Sequence, residues 1–270
     1  MGLEDKIRYV VNLFRDFMFR FSTKKLVEEL KEVLKEFENK IPVIIVSYNN
    51  AIYVKNMVKQ LNKYDIKPII IDNNSTDQAS LDILKELQNS AYVIYSQKNF
   101  GYLVGFINPV YKVLPRYFAY TDPDLELNKN LPKNFLDILK DVTKDFKVYK
   151  AGFALKLLDE EMIEAKLLKL NGYPKINKKI LTVREWESRF WRFKLDHKSL
   201  EVYKAPLDTT FALYDKENLS DDFYDAVRVA GDFSCLHLPW YPKRELLSTS
   251  QKEAYLKSNN SSTWVTASKS

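Results

Sequence analysis

The sequence predicts an α/β fold: a mainly parallel central sheet flanked by helices, preceded by an amphipathic helical extension. Three observations predict it. Short continuous apolar runs, Val43-Ile44-Ile45-Val46, Pro68-Ile69-Ile70-Ile71 and Tyr92-Val93-Ile94-Tyr95, have the character of strands buried on both faces. Helical stretches from Ile52 to about Tyr64 and from Gln78 to Leu87 separate them, so the order is β-α-β-α-β with right-handed crossovers. Each run passes, directly or within a few residues, into Asn, Asp or Ser, as expected where ligands bind beyond the carboxyl ends of parallel strands.

The elements follow in order. Ile7, Val11, Phe14 and Met18 recur at helical spacing, and Leu26, Leu30, Val33, Leu34 and Phe37 form a second set, giving two amphipathic helices. Their apolar faces suit packing on the main domain or on a second subunit. Lys6, Arg8, Arg15, Arg20, Lys24 and Lys25 also suit a helix lying on a membrane surface, so both readings stand. After the third strand come Asn99-Phe100-Gly101, a short helix near Val110 and a fourth strand from Arg116 to Tyr120, which ends at Thr121-Asp122. Further on, the sequence predicts a helix from Lys133 to Asp141, a strand through Tyr149 to Leu157 and a polar stretch around Lys166 to Lys179. Glu201-Val202-Tyr203 and Phe211-Ala212-Leu213-Tyr214 are expected as strands flanking Asp208, and Ser248 to Ser270 as a loosely held polar tail.

Composition narrows the function. The chain has 270 residues, 46% hydrophobic and 29% charged, which suits one globular α/β unit with a small appendage. A net charge of +6 accommodates an anionic partner, but basic residues are interspersed with acidic ones and no nucleic-acid-reading module is present. Nucleic acid is therefore not the expected partner. The single cysteine, Cys235, rules out an internal disulfide and a thiolate metal site, which fits a reducing cytoplasm. No apolar run reaches the roughly 18 residues of a membrane span. Met1 to Lys6 is too charged for a signal peptide, and Lys6 breaks the myristoylation pattern. A cytoplasmic protein, peripheral at most at the inner face of the membrane, is expected.

Candidate site residues cluster after the strands. Ser47-Tyr48-Asn49, Asp72-Asn73-Asn74-Ser75, Asn99-Phe100-Gly101 and Asp122-Pro123-Asp124 each sit at a strand end, where turn chemistry alone also explains Asn, Asp and Ser. Ser75 with Gln78 fits a helix capping box. Asp72 follows three isoleucines and could accept hydrogen bonds from a base or a ribose. Asp122 and Asp124, separated by one residue, suit a hard divalent cation, Mn²⁺ or Mg²⁺, held jointly with diphosphate oxygens. An Asp-Pro-Asp turn without metal accounts for the same residues.

Of the two histidines, His237 lies in an apolar and aromatic stretch where an imidazole needs a partner, as a metal ligand or as a satisfied core residue. His197, between Asp196 and Lys198, is expected in a solvated loop. Asp208 interrupts an apolar and hydroxylated stretch in which an unpaired carboxylate is costly, which makes it the candidate general base. Asp232 and the Asp221-Asp222 pair compete for that role, and a Cys235–His237 nucleophile pair is formally available.

The combination resembles family 2 glycosyltransferases of the GT-A fold, especially bacterial enzymes acting on surface polysaccharides. The resemblance covers roughly Ile41 to Tyr241 and rests on Val46-Ser47-Tyr48-Asn49, on Ile71-Asp72-Asn73-Asn74-Ser75-Thr76-Asp77, and on Asn99-Phe100-Gly101 with Gly105 and Asn108. It implies a Rossmann-like GT-A domain that moves a hexosyl or N-acetylhexosaminyl group, with inversion, from a UDP-sugar to a glycan or lipid-linked glycan. It further implies that Ser47, Tyr48, Asn49, Asp72, Asn99, Gly101 and Asp122 contact the nucleotide sugar, that Asp122-Pro123-Asp124 stands where the family has Asp-x-Asp, and that His237 completes metal binding. Asp208-Thr209-Thr210 occupies the base region, although the family's more usual Glu-Asp pair is absent.

The expected organisation is then a helical extension over 1–40, which contacts a membrane or another copy of the chain, a GT-A domain over 41–247 and a tail over 248–270. Within the domain, 41–131 form the nucleotide-binding half and 132–247 the acceptor-side half. Nucleotidyl transfer on a related fold is the rival chemistry, but its glycine-rich, basic first loop is missing after Val46. A non-catalytic glycan- or partner-binding protein on the same fold would be marked by loss of the metal carboxylates or the histidine.

Overall fold

Residues 21–158 and 182–258 are described by the computed structural model. The expected helix around Ile7 to Met18, the polar stretch around Lys166 to Lys179 and the chain after Ser258 lie outside the described residues. A helix over residues 21–34 (α1) leads into the first strand, β1 (Val43–Ser47), followed by α2 (Ala51–Leu61), β2 (Ile69–Asp72), α3 (Gln78–Glu86) and β3 (Tyr92–Tyr95). All three strands pair in parallel, with Ser47 opposite Asp72 and Asp72 opposite Tyr95, so their polar ends lie level.

The chain then crosses back through α4 (Asn108–Val113) to β4 (Tyr117–Thr121), which lies on the far side of β1. Strand order therefore reverses between β1 and β4, the place where open α/β sheets form a ligand crevice at the carboxyl ends of their strands.

The remaining strands extend the sheet: β6 (Lys150–Phe153) after α5 (Phe135–Phe146), β7 (Lys194–Leu195) after α6 (Val183–Glu187), then β8 (Val202–Lys204), β9 (Ala212–Asp215) and β10 (Val227–Val229). The sheet runs β3-β2-β1-β4-β9-β6-β10-β8-β7, with β9 inserted antiparallel between β4 and β6. A separate ribbon pairs β5 (Leu125–Glu126) with β11 (Leu236–His237). The chain is described as far as α7 (Thr249–Ser258).

Alternation along β1 builds three layers. Val43 and Ile45 pack with Val54, Met57 and Leu61 of α2 and Phe135 and Leu139 of α5, while Ile44 and Val46 pack with Leu26 and Leu30 of α1 and Val110 of α4. Each fully buried aliphatic side chain contributes about 1.5–3 kcal/mol relative to exposure. α1 thus covers its own sheet, which is the packing reading of the second amphipathic set.

Four elements differ from the sequence expectation. The cap of α3 is Asp77, whose carboxylate accepts from the Ser80 N–H, because Ser75 is already committed to Asp72. The strand expected through Leu157 ends at Phe153, and only an isolated bridge from Leu155 to Cys235 follows. His197 is no free loop residue: its Nδ1 accepts from the Ser199 and Leu200 N–H groups, and its ring packs against Phe146. Residues 249–258 form a helix rather than loose tail, since Tyr255 buries its ring with Tyr53, Leu238 and Leu247.

Gly105 marks a close approach near the crevice. A Cβ there would stand 2.4 Å from Cε2 of Tyr120, whose hydroxyl donates to the Tyr102 carbonyl at 2.6 Å. We expect Gly105→Ala to lower stability by about 1–3 kcal/mol in urea unfolding, through overpacking against a ring that cannot retreat.

Candidate active site

The loops after β1 and β2 are built together. Asn49 holds a left-handed φ of 52°, which Asn tolerates better than most residues. Its amide oxygen accepts from the Thr76 and Asp77 N–H groups, and its own N–H donates to the Ser75 hydroxyl. Ser47 is buried, and its hydroxyl donates to Asn50. The Asn99 side chain accepts from the Gly101 N–H, and the Gly101 carbonyl accepts from Asn73, with φ +82° at this glycine. Ser47, Asn49, Asn99 and Gly101 therefore shape the crevice through the turn chemistry that the sequence left open, while Tyr48 is half-buried beside them.

Asp72 ends β2 with a buried carboxylate that accepts from Ser75 twice, from the N–H at 3.0 Å and the hydroxyl at 2.5 Å. Burial pushes its carboxyl upward, and the two Ser75 bonds oppose the shift. Two of its roughly four acceptor sites are thereby committed. Its first role is to fix the loop.

Asp122 lies just beyond β4 and is clamped to the loop before β9. Its N–H donates to the Thr209 carbonyl at 3.0 Å, and its carboxylate accepts from the Thr209 hydroxyl at 2.6 Å. Thr209, which the sequence places in the base region beside Asp208 without a role of its own, is thus a clamp on Asp122. Burial, then the neighbouring Asp124 charge, pushes the Asp122 carboxyl to about 7, against the Thr209 bond.

The β5–β11 ribbon places Asp124 beside His237. Leu125 pairs with His237, and the Leu238 N–H donates to the Asp124 carbonyl at 2.9 Å. Gln60 of α2 holds the ribbon in place through the Leu125 carbonyl and the Leu127 N–H. The result is a separation of 3.3 Å between Asp124 Oδ2 and His237 Nε2, with Trp240 against the imidazole at 4.5 Å between ring centroids. Burial alone would depress the His237 imidazolium, but the Asp124 carboxylate outweighs it and raises the net value.

Asp124 Oδ1 and His237 Nδ1 are both buried without a hydrogen-bond partner among the described residues. Orphaned buried polar atoms of this kind are rare and commonly mark an ion or water position. The donor set of two carboxylates and one imidazole fits Mn²⁺ or Mg²⁺. Among the described residues, however, no three His, Cys, Asp or Glu side chains converge into a ready metal-holding group. The reason is visible: Asp122 is turned to Thr209 and Asp124 to His237.

Asp208 is exposed at the crevice mouth, not buried as its apolar neighbours suggested. Desolvation by the surrounding protein still raises its carboxyl, while the Lys150 ammonium pulls it down. It interacts electrostatically with Asp122 and with Tyr102. Of its rivals, Asp232 is exposed on the turn Gly231–Phe233, and Asp222 caps a surface turn at the Tyr224 N–H. Burial pushes the Cys235 thiol far above its ordinary range, so it cannot serve as a thiolate nucleophile.

Comparison with known proteins agrees with this architecture. No curated protein sequence matches the chain. Among solved structures, one of UDP-glucose pyrophosphorylase complexed with UDP-glucose is similar at 11% identity, with 71% of this chain and 75% of that chain covered and a TM-score of 0.32. That likeness is too distant to bear on function. Residues 43–198 match the family described as Glycosyl transferase family 2. With a Rossmann-like, mainly parallel sheet of GT-A type and a family match spanning more than half its length, the chain belongs to glycosyltransferase family 2.

Proposed function

We propose that the protein transfers a hexosyl or N-acetylhexosaminyl group, with inversion, from a UDP-sugar to a glycan or lipid-linked glycan of the bacterial surface-polysaccharide kind. The observation that supports this reading is the buried Asp124–His237 pair, which keeps one unpartnered atom on each side chain among the described residues, next to Asp122 at the switch between β1 and β4.

In this reading the uracil or ribose docks against the loops after β1 and β2, where Asp72 retains acceptor capacity. Asp122, Asp124 and His237 would hold a divalent cation, which when bound neutralises charge growing on the leaving diphosphate. Asp208 takes the proton of the acceptor hydroxyl, whose oxygen forms the new bond to the anomeric carbon as the bond to the diphosphate oxygen breaks. One base acting in a single displacement inverts the anomeric carbon. Residues 1–40 are proposed to make a peripheral membrane contact or to pair with another copy of the chain; α1 uses Leu26 and Leu30 to pack on the sheet, which leaves its opposite face for such a contact.

Thermal unfolding with UDP tests the donor reading. At a hundredfold excess over Kd, UDP with Mn²⁺ should stabilise the protein by about 2.7 kcal/mol, and UDP alone by less. No shift in either condition would remove the donor site from this crevice.

A further inference from the structure

Lys150 is a cation in the interior of a sheet. It opens β6, between β9 and β10, and its side chain is entirely shielded from solvent. The ammonium lies 3.8 Å from the centroid of the Phe223 ring and 5.4 Å from that of Tyr214. Among the described residues its one hydrogen bond is a long donation, 3.4 Å, to the main-chain carbonyl of Asp208. The charged groups facing it are Asp208, Asp222, Asp225 and Arg228, none within ion-pair distance among the described residues. Burial lowers the ammonium to about 7, with Asp208 the strongest opposing influence.

A second buried cation grips the same loop. Arg228 donates from Nε at 2.9 Å and from Nη2 at 2.7 Å to the Pro206 carbonyl, while its Nη1 pairs with Glu187 at 2.9 Å. The loop from Ala205 to Thr210 is thus anchored at Pro206 by Arg228, at Asp208 by Lys150 and at Thr209 by Asp122.

Arg228 has a carboxylate to balance its burial, and among the described residues Lys150 has none in contact. A buried charge without a close counter-ion weakens a fold relative to an apolar residue of the same length, so stability does not account for a lysine here. What the ammonium touches is the main chain of the residue read above as the base.

We propose that Lys150 is a positioning residue for sugar transfer, anchoring the main chain at Asp208 so that its carboxylate is presented beside Asp122. The inference rests on the reading of Asp208 as the base. It is distinct from donor binding, because among the described residues the groups that face Lys150 are Asp208, Asp222, Asp225 and Arg228 rather than Asp124 or His237.

Lys150→Met in the full chain tests it, because Met fills the same volume without charge or donor. UDP release is followed with a panel of UDP-hexoses and UDP-N-acetylhexosamines, alongside thermal unfolding with UDP and Mn²⁺. The expected result is a fall in kcat of about 10- to 100-fold, the scale of a small misplacement of a reacting group, with donor KM and the UDP–Mn²⁺ shift unchanged and the unfolding midpoint not lowered. Lys150→Gln, which keeps a donor without the charge, should fall less, and it carries the test if the Met variant does not fold.

A kcat within twofold of wild type in folded Lys150→Met overturns the proposal; if that variant does not fold, the same result in Lys150→Gln does. So does a loss of kcat matched by equal losses of UDP binding and thermal stability, which a merely structural role would produce. If instead Asp208→Asn retains full turnover, the base reading itself has failed. Wild-type turnover, an inactive Asp208→Asn and an unaffected Lys150→Met would sink this inference alone.

Discussion

Asp124→Asn is expected to abolish the Mn²⁺-dependent part of stabilisation by UDP and to lower turnover by about 10³-fold. The substitution is nearly isosteric and keeps the main-chain bond from the Leu238 N–H, so the β5–β11 ribbon should survive. What it removes is the negative charge beside His237 and one of the two carboxylate oxygens, the features that suit a cation. Losing several kcal/mol of charge stabilisation at the leaving diphosphate corresponds to roughly three decades in rate. Relief of repulsion should also let the Asp122 carboxyl fall from its raised value, since Asp124 is its largest charged perturber after burial. Isothermal titration of UDP with and without Mn²⁺ checks the first effect, and UDP release the second. An unchanged metal dependence in the variant would place the cation away from Asp124.

Asp208→Asn separates chemistry from binding. Because Asp208 is exposed, the amide should cost little stability, and the Lys150 and Thr209 contacts run through main chain or a neighbouring residue. Donor affinity should be retained while transfer falls by about 10²–10⁴-fold, the range a positioned base supplies. Near wild-type transfer would move the base elsewhere. Asp232, the next carboxylate in the sequence argument, sits on an exposed turn after β10, and its own Asn variant would then decide.

Much of this molecule was legible in its sequence, and the legible parts share a cause. The parallel half announces itself because β1, β2 and β3 are short apolar runs bounded by helical periods, a local signal that tertiary packing reinforces. Asp72, Asp122 and Asp124 could be placed because each directly ends or follows such a run. The second half was less legible because its strands are short and its pairings are long-range: β9 slips between β4 and β6, and two-residue strands form the ribbon. No local period encodes that.

The environment of each carboxylate was equally hidden. Apolar neighbours suggested a buried Asp208, yet the loop turns it outward, while the Ser75 capping box dissolved because Asp72 claims that hydroxyl. Nothing local marks Lys150, since a lone lysine inside a strand usually faces solvent, and only the packing of Phe223 and Tyr214 over it shows otherwise. Thr209 needed the clasp to Asp122 to become visible.

The β5–β11 ribbon also sets the order in which the working molecule comes into being. Asp124 belongs to the half synthesised first, yet its histidine neighbour arrives only with β11, after every strand of the main sheet has left the ribosome. The parallel half can collapse early on its own local contacts, whereas the pairing of Leu125 with His237 must await a distant segment and closes a long loop. A nascent chain would therefore form the crevice between β1 and β4 well before it brought His237 beside Asp124. If Asp124 and His237 serve as proposed, activity appears last, as a late docking event rather than as a property of the early folding core.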